Sequence, residues 1–105
     1  MVPQRGEVWL FDCGMMEKVR PVLILSVPFA DTDRAILTVV FHSTALRGSP
    51  FEVKVAVSFL KDGAFIAQSI ATYPTTRAIR RLGVLPHPQV SAVEAAVFKW
   101  LGKSS

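Results

Sequence analysis

The alternation of apolar and polar positions along the chain predicts a protein built mainly from β-strands. In the segment FEVKVAV, every second residue from Phe51 to Val57 is apolar, while Glu52 and Lys54 fall on the opposite face. This period of two is typical of a half-buried antiparallel strand. The unbroken apolar run VLIL after Pro21 indicates a strand buried on both faces. Six strands are predicted, at Glu7–Asp12, Val22–Val27, Ala35–His42, Phe51–Val57, Ala64–Ala71 and Gly83–Leu85.

The C-terminal segment changes to a helical period. Pro88 favours a first helical turn, and Gly102 favours the end of the helix. The apolar stripe between them, which we expect to pack on the sheet, consists of Val90, Val93, Val97, Trp100 and Leu101. Short turn-like segments join the strands, so the sheet should be mainly antiparallel. The predicted fold is therefore mainly β, a small curved antiparallel barrel or half-barrel with a C-terminal helix.

Size and composition limit the class of protein. The chain has 105 residues, half of them hydrophobic, which predicts a single domain over 1–105 with its own core. The one cysteine, Cys13, excludes an internal disulfide. We expect a cytoplasmic protein, since neither a signal peptide nor an apolar run of the roughly 18 residues that a membrane span needs occurs. The formal net charge of +4 is compatible with a polyanion or an acidic protein segment as partner.

Polar side chains gather at the predicted ends of two strands. Glu17 and Arg20 precede the second strand, and His42, Ser43 and Thr44 end the third. If these strands pair, a guanidinium and two hydroxyls form a cradle for a phosphate oxygen, and an imidazole or a carboxylate supplies a proton acceptor. Two plainer interpretations compete: a surface ion pair between Arg20 and Glu17, and a hydrogen-bonded turn at Ser43 and Thr44. The sequence has no metal-spaced His/Cys cluster, so we expect no metal and no cofactor.

Four segments, RGEVWLFD, RPVLILS, HSTALRGSPFEV and AFIAQSIAT, occur in this order between about 5 and 101. They resemble the successive blocks of the MazF/PemK (Kid) toxins of type II toxin–antitoxin modules. The resemblance implies an SH3-like barrel, of the kind also found in the gyrase poison CcdB, and a homodimer. It also implies a metal-independent endoribonuclease, or mRNA interferase. In that reaction the 2′-OH of single-stranded mRNA attacks the adjacent phosphate, giving a 2′,3′-cyclic phosphate and a 5′-OH.

The resemblance assigns roles to residues at the strand ends. Arg20 would stabilise the charge of the phosphorane, and Thr44, with Ser43 beside it, would hydrogen-bond the scissile phosphate. The general base stays open, because many members carry an Asp where this chain has Ala67. Glu17 and His42 are then the candidates for the base, and an imidazole suits removal of a 2′-OH proton.

RNA recognition needs cations and stacking platforms around the catalytic residues. The residues predicted to contact RNA are Lys18, Arg47, Lys54, Gln68 and Arg77. The resemblance also implies an antitoxin, whose acidic, initially disordered C-terminal tail would occupy the same basic groove. The missing Asp keeps an alternative open: a non-catalytic module on the same fold, either a CcdB-like topoisomerase poison or an inactive antitoxin-binding relative.

Overall fold

A computed structural model describes residues 2–14 and 18–103 of the chain. These residues form seven β-strands, two single-turn 3₁₀ helices at 67–69 and 75–77, and one α-helix. The elements are β1 (Glu7–Asp12), β2 (Val19–Ile24), β3 (Ile36–Ser43), β4 (Glu52–Lys54), β5 (Ala64–Ile66), β6 (Ala71–Pro74), β7 (Ala78–Val84) and α1 (His87–Trp100). No helix in this part of the chain is long and apolar enough to cross a membrane.

All the strand pairs are antiparallel, and they join the strands into one open sheet in the order β4-β5-β3-β2-β1-β7. β6 is off this path and pairs with the first half of β3, while β5 pairs with the end of β3. The fold class predicted from the sequence is confirmed: a curved, mainly antiparallel sheet, not closed, with a C-terminal helix.

The prediction of one continuous fifth strand over 64–71 is wrong. The 3₁₀ turn at 67–69 separates β5 from β6 and lets the chain step along β3 from one pairing to the next. In that turn the Ser69 hydroxyl oxygen accepts a hydrogen bond from the backbone N–H of Phe41 at 2.8 Å. The same hydroxyl donates to the carbonyl of Ile66 at 2.7 Å. The Ser69 hydroxyl therefore takes the place of a strand carbonyl as the acceptor for the Phe41 N–H, at the point where β3 passes from pairing with β5 to pairing with β6.

The predicted sixth strand, 83–85, is too short, because β7 begins at Ala78 and pairs with β1. Its signal is hidden by the basic residues Arg80 and Arg81, which are exposed on the open edge of the sheet. Arg81 donates to the Glu7 carboxylate of β1 at 3.1 Å. Basic side chains on an edge strand also discourage pairing with another chain.

The sheet curls around an apolar core on one of its faces. This core contains Phe11 of β1, and it also takes in Tyr73 of β6 and Ala78 of β7. The rings of Phe11 and Tyr73 meet edge to face, with centroids 6.2 Å apart, although β1 and β6 are not neighbours in the sheet. Such a contact requires strong curvature, because side chains of distant strands meet only across a concave face.

The opposite face of the sheet packs on α1 through the predicted apolar stripe. Val90, Val93 and Val97 are buried against the sheet, as expected. Trp100 and Leu101 are not part of the core: they are 44% and 60% exposed. The apolar stripe wrongly predicts burial of these two residues, because the stripe extends beyond the part of α1 that the sheet covers.

Candidate functional site

The pairing of β2 with β3 brings the predicted polar residues to one end of the sheet. The register pairs Val22 with Phe41, so Arg20, two positions before Val22, reaches the same end as Ser43, two positions after Phe41. Both line a cleft of about 760 Å³. The lining residues are Lys18, Val19, Arg20, Pro21, His42, Ser43, Thr44, Ala45, Phe59, Leu60, Lys61 and Leu82.

Arg20 is held within the sheet, with its side chain at the cleft. Its backbone lies opposite Phe11 of β1, and its guanidinium carbon lies 4.6 Å from the centroid of the Phe41 ring. A cation over an aromatic face is attracted by the ring quadrupole, and a planar guanidinium can stack there and still donate hydrogen bonds from its edge. The side chain is therefore supported by the Phe41 ring, and it lies in the lining of the cleft.

The backbone at Lys18 adopts an unusual conformation beside Arg20. Its φ of +55° lies in the left-handed region, which costs energy for a residue with a Cβ. Hydrogen bonds from Lys18 N–H to the Gly14 carbonyl, at 2.6 Å, and from Cys13 N–H to the Lys18 carbonyl, at 2.7 Å, hold it there. Glu17, one of the predicted catalytic residues, lies outside the described residues.

Ser43 and Thr44 line the same cleft as Arg20. Ser43 ends β3 and pairs with Ala64 of β5. Its hydroxyl oxygen accepts a hydrogen bond from the backbone N–H of Ala45 at 3.1 Å, which is the local turn that the sequence allowed as an alternative. The hydroxyl proton of Ser43 can still be donated, and Thr44 is exposed. Two hydroxyls are thus positioned to donate to an oxyanion.

His42 lies deeper in the same wall. It is 4% exposed, and its ring meets the ring of Phe65 edge to face with centroids 5.2 Å apart. Burial lowers the pKa of His42 below its usual value, so the imidazole is neutral at pH 7. Its Nε2 atom is buried and has no hydrogen-bond partner among the described residues. A neutral imidazole can accept a proton, but this nitrogen is buried away from solvent.

A glycine permits the close packing behind His42. A Cβ on Gly63 would overlap the backbone oxygen of Ser43 and come within 2.8 Å of the Cε1 atom of His42. No other residue fits there without a backbone shift. The KDG segment, which the sequence indicates as a turn, therefore fixes where the end of β3 sits.

The far wall of the cleft was not predicted. It is formed by Phe59, Leu60 and Lys61 of the loop before β5 and by Leu82 of β7. The Phe59 ring packs on the backbone of Gly83, where a Cβ would come within 2.5 Å of the ring. The signal that could have found this wall is Gly83, since a glycine within a strand often marks the close approach of another group.

Four of the predicted RNA-binding residues lie outside the cleft lining, and only Lys18 lies within it. Arg77 follows β6 and donates to the Asp12 carbonyl at 3.2 Å. Lys54 is on β4, and Gln68 is exposed on the 3₁₀ turn after β5. Arg47 lies in the loop between β3 and β4.

The Glu52 carboxylate organises that loop. It accepts hydrogen bonds from the backbone N–H groups of Arg47, Gly48 and Ser49 at 2.8, 3.0 and 3.2 Å. These bonds, led by that from Arg47, hold the pKa of Glu52 below its usual value despite the opposing effect of desolvation. The carboxylate is thus committed to the loop backbone, and the loop is fixed at the side of β4.

Comparison with known proteins identifies relatives over nearly the whole chain. The family model described as "PemK-like, MazF-like toxin of type II toxin-antitoxin system" matches residues 4–101. A search of curated proteins gives no significant match.

Solved structures of similar fold point to the same group of proteins. A mycobacterial endoribonuclease, solved in complex with its cognate antitoxin, is 26% identical, with a TM-score of 0.81 and 95% of both chains covered. A MazF toxin of Mycobacterium tuberculosis is also 26% identical, with a TM-score of 0.77 and coverage of 94% of this chain and 99% of that one. A chain from MazE–MazF of Deinococcus radiodurans, at 22% identity, shares the fold, with a TM-score of 0.81 and 99% of both chains covered.

Proposed function

Because the chain belongs to the family of PemK-like and MazF-like toxins of type II toxin–antitoxin systems, we propose that it cleaves single-stranded mRNA without a metal or a cofactor. The observation that carries this proposal is one cleft lined by Arg20, whose guanidinium rests on the Phe41 ring, and by Ser43 and Thr44, which supply two hydroxyls. The proposed unit is a single toxin domain over 1–105.

The reaction proceeds by attack of the substrate's own 2′-OH on the adjacent phosphorus. The bond from phosphorus to the 5′-oxygen breaks, leaving a 2′,3′-cyclic phosphate and, after protonation of the leaving oxygen, a 5′-OH. Negative charge grows on the non-bridging oxygens, and Arg20 stabilises it with donors that are in place before the reaction begins. Thr44 and Ser43 donate hydrogen bonds to the same phosphate and fix its orientation.

The proton of the 2′-OH goes to Glu17 or His42. No carboxylate is among the described residues that line the cleft, and Glu17 is next to Lys18 in sequence. His42 is neutral at pH 7, but its buried Nε2 reaches substrate only if the ring turns. A kinetic test separates the two: replacement of the base removes the acid limb of the pH–rate profile, and replacement of the other residue leaves it.

The cleft suits a single strand because its rim is cationic and its far wall is apolar. Lys18 and Lys61 attract the phosphate backbone from the two sides, and Phe59 provides a ring for an unstacked base. Arg47, Lys54, Gln68 and Arg77 would extend the contact beyond the cleft. We also propose a cognate antitoxin with an acidic C-terminal tail, since relatives are solved as toxin–antitoxin complexes. A homodimer is proposed from the family resemblance.

The deciding experiment incubates the purified protein with a long single-stranded RNA in EDTA and maps the fragment ends. We expect discrete cleavage sites, fragments with 5′-OH ends, and loss of cleavage in Arg20→Ala. Intact RNA under these conditions would contradict the proposal. Metal dependence of the cleavage would contradict its mechanism.

The lack of a carboxylate among the described cleft residues favours one alternative. Without a proton acceptor the same cleft would bind and not cut, as in a CcdB-like topoisomerase poison or an inactive antitoxin-binding relative. Intact RNA together with growth inhibition that disappears in a strain with resistant gyrase would identify the poison. Intact RNA without growth inhibition would identify the inactive relative.

A further inference from the structure

A second groove lies between α1 and β4, and it shares no lining residue with the cleft. Its volume is about 550 Å³. The lining residues are Pro50, Glu52, Val53, Lys54, Ala92, Ala95, Ala96, Lys99 and Lys103. Nothing in the proposed RNA chemistry requires this surface, apart from the RNA contact predicted for Lys54.

The rim of this α1–β4 groove is positively charged. Lys54 comes from β4, and Lys99 and Lys103 come from the end of α1 and the residues after it, all three exposed. The one acidic lining residue, Glu52, directs its carboxylate to the backbone N–H groups at 47–49. Lys54 also lies within the field of this carboxylate, whereas no other acidic residue is among the described residues that line the groove near Lys99 and Lys103.

The floor of the groove is formed by small apolar side chains. Ala92, Ala95 and Ala96 lie on one face of α1, at the spacing of one helical turn, and leave room for another backbone to approach closely. The strand side of the groove is fixed to the helix, because the rings of Phe51 and Trp100 meet edge to face with centroids 5.3 Å apart. The shape therefore exists before any partner binds.

We propose that the α1–β4 groove binds an acidic segment of a partner protein. The carboxylates of such a segment pair with Lys54, Lys99 and Lys103, and its small apolar side chains rest on the alanine floor. A nucleic acid fits less well, because the described residues that line the groove include no aromatic ring and no arginine on which a base could stack. A second copy that contacted this groove through its own α1–β4 groove would place the same lysines against each other. The binding of an acidic segment is argued from the groove alone. The identification of that segment as part of the cognate antitoxin rests on the proposed function.

The test uses fluorescence anisotropy of a labelled short peptide of alternating glutamate and alanine, with the full chain at low salt. Lys99→Glu should weaken binding by about fivefold or more, since it removes one ion pair and adds a repulsion. Ala95→Leu keeps the charge and the helix propensity but fills the floor, and it should weaken binding about as much. Arg34→Glu is the matched control: it makes the same charge change at an exposed position outside the groove, and binding should stay within about twofold of wild type.

Each of the following results would overturn the proposal. Equal weakening by Lys99→Glu and Arg34→Glu, or full binding in Ala95→Leu, would mean that only long-range charge attracts the peptide. Binding of a labelled oligothymidylate that depends on Lys99 and Ala95, without such dependence for the peptide, would assign the groove to nucleic acid. A dimer seen by sedimentation in wild type and lost in Ala95→Leu would assign it to a second copy.

The same variants separate this proposal from the proposed function. None of them changes a residue of the cleft, so Lys99→Glu and Ala95→Leu should cleave RNA at the wild-type rate. Failure of the wild type to cleave RNA would refute the endoribonuclease and leave the peptide measurement valid. Failure of the peptide to bind would refute the groove and leave the cleavage measurement valid.

Discussion

The guanidinium carbon of Arg20 lies 4.6 Å from the centroid of the Phe41 ring, on the neighbouring strand. Phe41 is itself fixed, because its backbone N–H donates to the Ser69 hydroxyl and its position pairs with Val22. The cation that we propose for phosphate binding is thus supported by an aromatic side chain that does not line the cleft. An arginine supported in this way is oriented before the substrate arrives, which reduces the cost of ordering it in the transition state.

Replacing Phe41 by leucine should slow cleavage without preventing RNA binding. The change removes the aromatic face under Arg20 and keeps an apolar side chain in the core. A cation–π contact contributes about 0.5–2 kcal/mol, so kcat should fall about two- to thirtyfold with little change in KM. Phe41→Tyr keeps the ring and should retain most of kcat. An equal loss of kcat in both variants, or a change in KM alone, would contradict this role for the ring.

Replacing Arg20 by lysine should cost nearly as much activity as replacing it by alanine. Lysine keeps the charge but loses the planar fork that donates two parallel hydrogen bonds and stacks on Phe41. Removal of one preorganised donor to a transition-state oxyanion typically costs about 10²–10³ in kcat. The measurement is single-turnover cleavage of a labelled RNA, with Arg34→Lys as the control outside the cleft. Near wild-type rates in Arg20→Lys would show that Arg20 acts only as a point charge.

The strands are predicted correctly where the period of the apolar residues agrees with the observed strand pairing. β1 has the predicted bounds, Glu7–Asp12, and β2 pairs with β3 as the placement of Arg20 and Ser43 at one end requires. The sequence fails at 67–69 because the run AFIAQSIA is apolar enough for one strand. There, a single serine hydroxyl satisfies the N–H of Phe41 and allows the chain to turn.

Only part of the candidate site can be predicted from the sequence. Arg20, His42, Ser43 and Thr44 stand at strand ends, where local sequence alone places them. The wall around Phe59 depends on packing between residues distant in sequence, and no local pattern encodes such a contact. The Arg20–Phe41 contact is also invisible in the sequence, since Phe41 reads simply as an apolar strand residue.

Replacing Gly63 by alanine should destabilise the protein through a steric clash. The added Cβ would overlap the backbone oxygen of Ser43 and press on the His42 ring, and overpacking of this kind typically costs about 1–3 kcal/mol. Gly48→Ala is the control without a clash, because Gly48 has a φ of +76° but nothing lies within 4 Å of a Cβ added there. It should cost about 1 kcal/mol through the left-handed backbone alone. Urea unfolding measures both variants, and an equal or smaller loss in Gly63→Ala would contradict the clash.

Lowering the pH should destabilise the wild type more than a His42→Gln variant. Burial depresses the pKa of folded His42 below its ordinary value of 6.5. The unfolded state therefore takes up a proton first as the pH falls, and stability is lost below about pH 6.5 until the pH passes the folded pKa. The slope for one proton is at most about 1.4 kcal/mol per pH unit. Urea unfolding at pH 7.5 and 5.5 should show a smaller loss in His42→Gln, and identical losses would show that another group controls the acid sensitivity.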